Sequence, residues 1–297
     1  MQRHAARLLA SLPASVREAL VRDLDPNDPD GRDPAFISEY ALPFLDWFRR
    51  VYFRSTVEGL EHVPKAGPFL AISNHSGGPI LADCWVMLSY WWSLFGVDQP
   101  GYAMVHDAAF RIPVLRNLLI KLGALRASRA NAEKVLDRSG IVLIFPGGEL
   151  DCLRSFSRRN KVDFHGRTGF LELALEREVP IVPVVNVGGH EVYFTLFSSQ
   201  ILARWTGLTA LTRVKTLPVN IGLPWGIWPT GFLPFIPLPA KFDYKVGKAI
   251  ELRRTRSGRP HPSHDAAVIR RGYREVTSSM QGMLNDLAAR RRLPLFG

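Results

Sequence analysis

The sequence predicts an α/β protein with a mixed, largely parallel central sheet flanked by helices. Short apolar runs, FLAIS, IVLI and PIVPVV among them, stop at asparagine, proline or glycine and read as strands. Between these runs lie stretches with apolar residues at helical spacing, and strands that alternate with helices pack as crossover units around parallel neighbours. The chain has 297 residues, of which 46% are apolar and 10% aromatic, a composition that buries one large core.

The elements follow in order. In residues 1–20 the apolar run is broken by Arg17 and Glu18 before it reaches the length of a signal peptide or a membrane span, so it reads as an amphipathic helix. LDPNDPDGRDP at 24–34 is a loop by its proline, glycine and aspartate content. Residues 1–34 are therefore expected to stand apart from a body over 35–260, with 261–297 as a C-terminal helical segment packed on it. EYALPFLDWFRRVYF at 39–53 spaces its aromatics as a helix does, with basic residues between them. The chain then reads as strand, turn and strand up to His75. From Pro79 the pattern turns helical, since proline fits a first turn in which its missing N–H has no partner to lose. Residues 101–127 read as a short strand, a helix and another short strand. NAEKVLDRSG at 131–140 is a brief helix stopped by glycine, and IVLIFPGG at 141–148 is a buried strand entering a glycine turn. RTGFLELALEREV at 167–179 is a helix, followed by the strand PIVPVVNVGG. KFDYKVGKAIEL at 241–252 returns to strand, and Ile269, Tyr273, Val276, Met280, Met283 and Leu287 recur at helical steps to close the chain.

The formal net charge of +11 and a pI near 10 favour anionic partners: nucleic acid, anionic lipid surfaces or phosphate-bearing substrates. No recognised nucleic-acid motif accompanies the charge, so nucleic acid is not expected as a partner. The two cysteines, Cys84 and Cys152, give no case for a disulfide framework and fit a reducing, cytoplasmic setting. No histidine, cysteine or acidic set has metal-ligand spacing.

The candidate chemistry centres on NHSGGPILAD at 74–83. His75 lies where a buried strand ends, which is where open α/β sheets bind ligands. Gly77 and Gly78 let the backbone approach a substrate closely, and the helix beyond them directs free N–H groups toward the same spot. A histidine there is suited to take a proton from an alcohol, given a carboxylate to orient it; Asp83 is the nearest. The plain alternative is a capping or solvated histidine, with Asp83 as a first-turn acid on a helix dipole.

FPGGELD at 145–151 also follows a buried strand and breaks at glycines, and VPIVPV at 179–184 is a third strand. NHSGGPILAD, FPGGELD and VPIVPV, in this order over roughly residues 50–250, resemble the glycerolipid and lysophospholipid acyltransferase superfamily. The Phe-Pro-Gly-Gly form looks most like its diacylglycerol acyltransferase branch. The resemblance implies the glycerol-3-phosphate acyltransferase-like αβ fold, His75 as general base and an aspartate partner. Two departures stand out. Seven residues separate His75 from Asp83, more than the family's block has, so Glu149 is an alternative partner. Gly147 stands for the family's glutamate and Leu150 for the arginine of the phosphate-binding branch, which puts a lysophosphatidate acceptor in doubt.

The resemblance further implies substrate contacts from Asn74, Gly77, Gly78, Phe145, Pro146, Gly147 and Gly148, with backbone N–H groups of the two glycine pairs as oxyanion donors. Arg126 and Arg129 fall where the family carries a basic acceptor-binding residue. Arg154 and Arg159, in the basic run after the glycine turn, are candidates for the donor's phosphates. His165, within the basic run, is a candidate for a secondary ligand contact, with a structural role as the plainer expectation. No serine or cysteine is seen beside a base, Cys84 being set inside a helix, so transfer is expected to be direct. No cofactor or metal is expected; acyl-CoA or an acyl carrier protein serves as co-substrate, with a lipid acceptor and an anionic membrane surface as the other partners.

Residues 217–240 carry no charge but are rich in proline and glycine, which argues against a membrane-spanning helix and for an irregular apolar loop in the lipid interface, with Trp225, Trp228, Phe232 and Phe235 at the headgroup level. The helical aromatics at 39–53 and 79–95, beside Arg49, Arg50 and Arg54, add monotopic contact. The expected protein is a membrane-associated O-acyltransferase at the cytoplasmic face. A non-catalytic lipid binder on the same fold and an acyl-thioesterase are the alternatives.

Overall fold

The computed structural model describes residues 23–212, 214–229, 235–252 and 265–293. The helix expected over 1–20 lies outside the described residues. A helix, α1, runs from Pro34 to Tyr52 and includes two π-helical turns, Ile37–Ala41 and Phe48–Tyr52. Asp33 caps it by accepting from the Phe36 N–H at 2.9 Å. There follow β1 (Thr56–Glu58), β2 (Phe69–Ser73), α2 (Ala82–Phe95), β3 (Gly101–Val105), α3 (Pro113–Lys121), β4 (Ala124–Arg126), α4 (Arg129–Asp137) and β5 (Ile141–Ile144). The second half holds α5 (Gly148–Cys152), α6 (Gly169–Arg177), β6 (Ile181–Val187), α7 (Gly189–Val192), β7 (Phe194–Ser199), α8 (Gln200–Trp205), α9 (Leu208–Thr212), β8 (Leu217–Gly222), β9 (Gly226–Pro229), β10 (Asp243–Val246) and α10 (Ala266–Arg290).

Seven strands form the main sheet in the order β1-β10-β6-β2-β5-β3-β4. Five of them, β6 through β4 in that order, are parallel, and among the named strands of this sheet the β10–β6 pairing is the antiparallel one. The expected mixed, largely parallel sheet is therefore present. The strand–turn–strand lead-in is not a hairpin: β1 pairs with β10 at the sheet edge, with β10 and β6 between it and β2.

The strand side chains alternate between two cores, as a pleated strand requires. Phe69 and Ala71 of β2, Leu143 of β5 and Val182 and Val184 of β6 pack under α1 and α2. Leu70 and Ile72, Val142, and Ile181 and Val185 pack against α4, α6 and α10. Both faces are covered, which explains why these strands read as continuous apolar runs. The C-terminal helix does what its spacing foretold: Val276, Met280, Leu284 and Leu287 are buried against β6 and β10. Among the described residues no helix is long and apolar enough to cross a membrane.

Two local outcomes differ from the sequence reading. The helix after His75 does not begin at Pro79. A 3-10 turn, Gly78–Ile80, is followed by Leu81 with φ of 55°, and α2 starts only at Ala82. Residues 217–240 are not all irregular loop either. β8 and β9 join β7 in a second, three-stranded antiparallel sheet.

Met280 is fully buried beneath β6. Met280→Ala should lower unfolding stability by about 2–5 kcal/mol, through lost transfer energy and the cavity left behind; urea denaturation followed by circular dichroism checks this.

Candidate active site

Three parallel strand ends build the site. β2 lies between β5 and β6, with Ile72 opposite Ile144 and Ser73 opposite Val184, so the segments that follow these strands emerge side by side. His75 follows β2, Phe145 to Cys152 follow β5, and Gly188 to Glu191 follow β6.

The imidazole Nδ1 of His75 lies 2.8 Å from Asp83 Oδ2, and the same oxygen accepts the Ser76 N–H at 2.7 Å. A carboxylate only accepts, so Nδ1 carries the proton in this pair and Nε2 is the basic nitrogen. The long spacing between the two residues is taken up before the helix starts. Gly77 has φ of 84°, and a Cβ there would come within 3.0 Å of Ala82 and of the Asp83 N–H. Gly78 has φ of 64°, and a Cβ there would strike the Tyr193 ring at 2.4 Å. The loop thus folds back on the first turn of α2 and returns Asp83 to the ring. The close approach these glycines permit is to the protein's own helix end and to Tyr193.

Asp83 is fully buried, in the first turn of α2, where the helix dipole favours a carboxylate. Tyr244 donates its hydroxyl to the Asp83 carbonyl at 2.8 Å. Phe145 stacks on the imidazole at 4.5 Å between ring centroids and 29° between planes, and fixes its tilt. Burial pulls the imidazole pKa down, but the adjacent Asp83 carboxylate outweighs it, and His75 sits well above its ordinary value of 6.5.

A second carboxylate secures the main chain. Asp151 Oδ2 accepts the His75 backbone N–H at 2.8 Å, and its Oδ1 pairs with Arg154 at 2.9 Å. Burial pushes the Asp151 carboxyl up to about 6 against the pull of Arg154. Arg154 itself is buried and also donates to the carbonyls of Lys161 and Asp163.

The candidate residues divide accordingly. His75, Asp83 and Phe145 come together. Glu149, the alternative partner, does not pair with the imidazole: it binds Arg167 at 3.3 Å, and Arg167 also donates to the Pro146 carbonyl at 3.0 Å. Asn74 is tied into the sheet: it exchanges hydrogen bonds of 3.0 and 2.9 Å with the backbone of Asn186 on β6. The Gly148 N–H closes a turn onto the Phe145 carbonyl at 3.0 Å and is not free for an oxyanion. Gly147 packs against Asp151, which a Cβ would meet at 2.5 Å. The arginines assigned to substrate have internal partners: Arg126 pairs with Asp107 at 3.2 Å, Arg129 with Glu133 and Glu176, and Arg159 with Glu191 at 3.5 Å while lying over Phe156. His190 is buried and held down to about 3, by burial first and then by Arg154, so it is neutral.

Sequence reasoning missed Cys152. Its thiol donates to the Gly78 carbonyl at 3.3 Å and lies within hydrogen-bonding reach of the His75 imidazole. The expectation that no cysteine stands beside the base is therefore corrected. The one signal in the sequence was its place in the short segment after Phe-Pro-Gly-Gly, at a strand end next to that of His75. Burial raises the thiol pKa, against the pull of His75, and so favours the neutral thiol.

His75 and Cys152 open on a cavity of about 1030 Å³. Its walls are apolar and come from α1, α2, α3 and the second sheet's surroundings, with Phe44, Trp85, Leu119 and Phe235 among them; Glu149 and Arg167 are its charged lining pair.

Against this geometry, residues 54–187 match the family model described as Acyltransferase. An uncharacterized protein of Mycobacterium tuberculosis is 28% identical over 98% of this chain and 77% of its own length. Diacylglycerol O-acyltransferase 2 of Homo sapiens is 34% identical over 32% of this chain and 26% of its own length. Diacylglycerol O-acyltransferase 2B of Umbelopsis ramanniana is 25% identical over 67% of this chain and 58% of its own. In fold, the chain resembles the 1-acyl-sn-glycerophosphate acyltransferase of Thermotoga maritima, with a TM-score of 0.50 over 88% of this chain and 86% of that one, at 20% identity.

Titration of the His75 ring by NMR should give a pKa well above 6.5, and Asp83→Asn should lower it, because burial is then opposed by the neighbouring Cys152 alone. The sign for stability follows: His75 contributes fully below the unfolded value of about 6.5, and this contribution is lost as pH rises through the folded pKa.

Proposed function

We propose that the chain is an acyltransferase of the kind its matched domain at 54–187 represents, and that it moves a fatty acyl group from an acyl thioester to a hydroxyl of a glycerolipid acceptor. The observation that carries this reading is the Asp83–His75 pair at the wall of a large apolar cavity. Nε2 of His75 takes the proton from the acceptor hydroxyl. The oxygen bonds to the thioester carbonyl carbon, the carbon–sulfur bond breaks, and the proton passes to the departing thiolate. Asp83 holds the tautomer and balances the imidazolium formed on the way. Because that pairing also favours the charged ring at rest, the base is freed only as pH rises.

The acceptor is read as neutral. Arg126, Arg129, Arg154 and Arg159 all hold internal partners, and the cavity offers Arg167 only as one half of a pair with Glu149. A buried phosphate needs cations of its own, so a mono- or diacylglycerol suits the lining better than a lysophosphatidate. The likeness to diacylglycerol acyltransferases supports the same choice. The reading includes peripheral attachment to an anionic membrane leaflet on the cytoplasmic side. It draws on the exposed Phe44, Trp47 and Val51 of α1, on Arg50 beside them, and on the net charge of +11.

The test is incubation of purified protein with labelled acyl-CoA or acyl carrier protein, and with diacylglycerol or lysophosphatidate in turn, followed by mass spectrometry of the products. Acylated diacylglycerol is expected. Free fatty acid alone would make the protein a thioesterase, and no turnover with any pair would leave a lipid-binding protein. His75→Ala should reduce transfer roughly 10²–10⁴-fold while circular dichroism is retained. The kcat/KM should climb with pH on a limb well above 6.5; a limb below that value contradicts the assignment of the base.

A further inference from the structure

The second sheet is built inside out. In a small antiparallel sheet on a soluble domain, the apolar face packs inward and the polar face meets water. Here Thr195, Asn220 and Trp228 lie side by side across β7, β8 and β9 and are buried, with the Thr195 hydroxyl donating to Asn220 Oδ1 at 3.2 Å. The next register, Phe194, Ile221 and Ile227, faces the other way, and Ile227 is 67% exposed.

The short helices beside the sheet extend this surface: Ile201 and Leu211 are 74% exposed and Trp205 is 85% exposed. Of the eighteen exposed large apolar side chains among the described residues, ten fall between Leu196 and Ile236. Contiguous exposure on this scale marks an interaction surface.

Charge selects the partner. Between Glu191 and Asp243 the sequence has no acidic residue, while it carries Arg204, Arg213, Lys215 and Lys241. The patch is also continuous with the cavity, whose lining includes Val214, Phe235 and Pro237, and Arg111 ties it to the start of α3 by donating to the Leu211 carbonyl at 2.8 Å. From the exposed apolar sheet face, the absence of acidic residues from the segment that forms it and its continuity with the cavity, we infer that β7–β9 with α8 and α9 is a platform that inserts into the headgroup region of an anionic bilayer. Trp205 and Trp225 anchor it at the interface, and lipid enters the cavity beside it. This deepens the proposed reading by naming a docking surface besides α1, and rests on the acyl-transfer part of it for the entry route alone.

The test measures binding to vesicles without substrate, using the full chain. Wild type should sediment with phosphatidylcholine vesicles containing phosphatidylglycerol and at least ~10-fold less with phosphatidylcholine alone. Trp205→Asp combined with Ile227→Asp should lower the anionic-vesicle partition coefficient at least ~10-fold, with circular dichroism and the unfolding midpoint held. Brominated acyl chains should quench wild-type fluorescence, and Trp205→Phe should remove part of that quenching. His75→Ala should bind vesicles as wild type does, so loss of acyl transfer and loss of docking are read separately. Unchanged partitioning of the double variant, or absence of quenching, overturns the platform. A lipid-free dimer that the double variant converts to monomer, with vesicle binding unaltered, assigns the surface to a second copy instead and also overturns it.

Discussion

The contact between the Asp83 carboxylate and the His75 imidazole, 2.8 Å long, is what the site depends on. Both residues are buried, and a buried charge without its partner is far more costly than a buried pair. The surroundings are arranged to keep the two together. The Ser76 N–H gives the same carboxylate oxygen a second donor, the start of α2 supplies a favourable dipole, and Tyr244 holds the carbonyl of Asp83. Phe145 then closes one face of the ring. Each contributor comes from a different strand end or helix, so the pair is a product of the sheet order and not of the local sequence alone.

That dependence explains what was legible in the sequence. The strand–helix alternation pointed to the central sheet, because strands buried on both faces leave apolar runs too short for a helix and bounded by proline, glycine or asparagine. The C-terminal helix was legible for the opposite reason: one apolar stripe of Val276, Met280 and their neighbours over many turns. His75 and Asp83 stood out through their glycines, but their contact did not follow from spacing. It rests on Gly77, Gly78 and Leu81 all adopting positive φ, which delays the helix until Ala82. Leu81 has no sequence signature for that conformation.

The arginines illustrate the converse. A basic run beside a glycine turn reads as a phosphate site, since sequence shows cations without their counter-charges. In the fold Arg154 meets Asp151 and Arg159 meets Glu191, the second pair joining residues far apart in the chain. Cys152 was overlooked for a similar reason: its neighbour His75 belongs to another strand. The second sheet escaped because β8 and β9 carry prolines and lack polar alternation toward solvent. A rule that puts apolar residues inside cannot recognise a sheet that faces them outward.

Asp151 has a mechanical consequence. One of its oxygens grips the main chain of His75, and the other grips the guanidinium under the loop after α5. The histidine segment and the segment that floors the cavity are thereby riveted across the tops of two strands. A shift of one segment would carry the other along, so the spacing between the two strand ends is set by a single carboxylate.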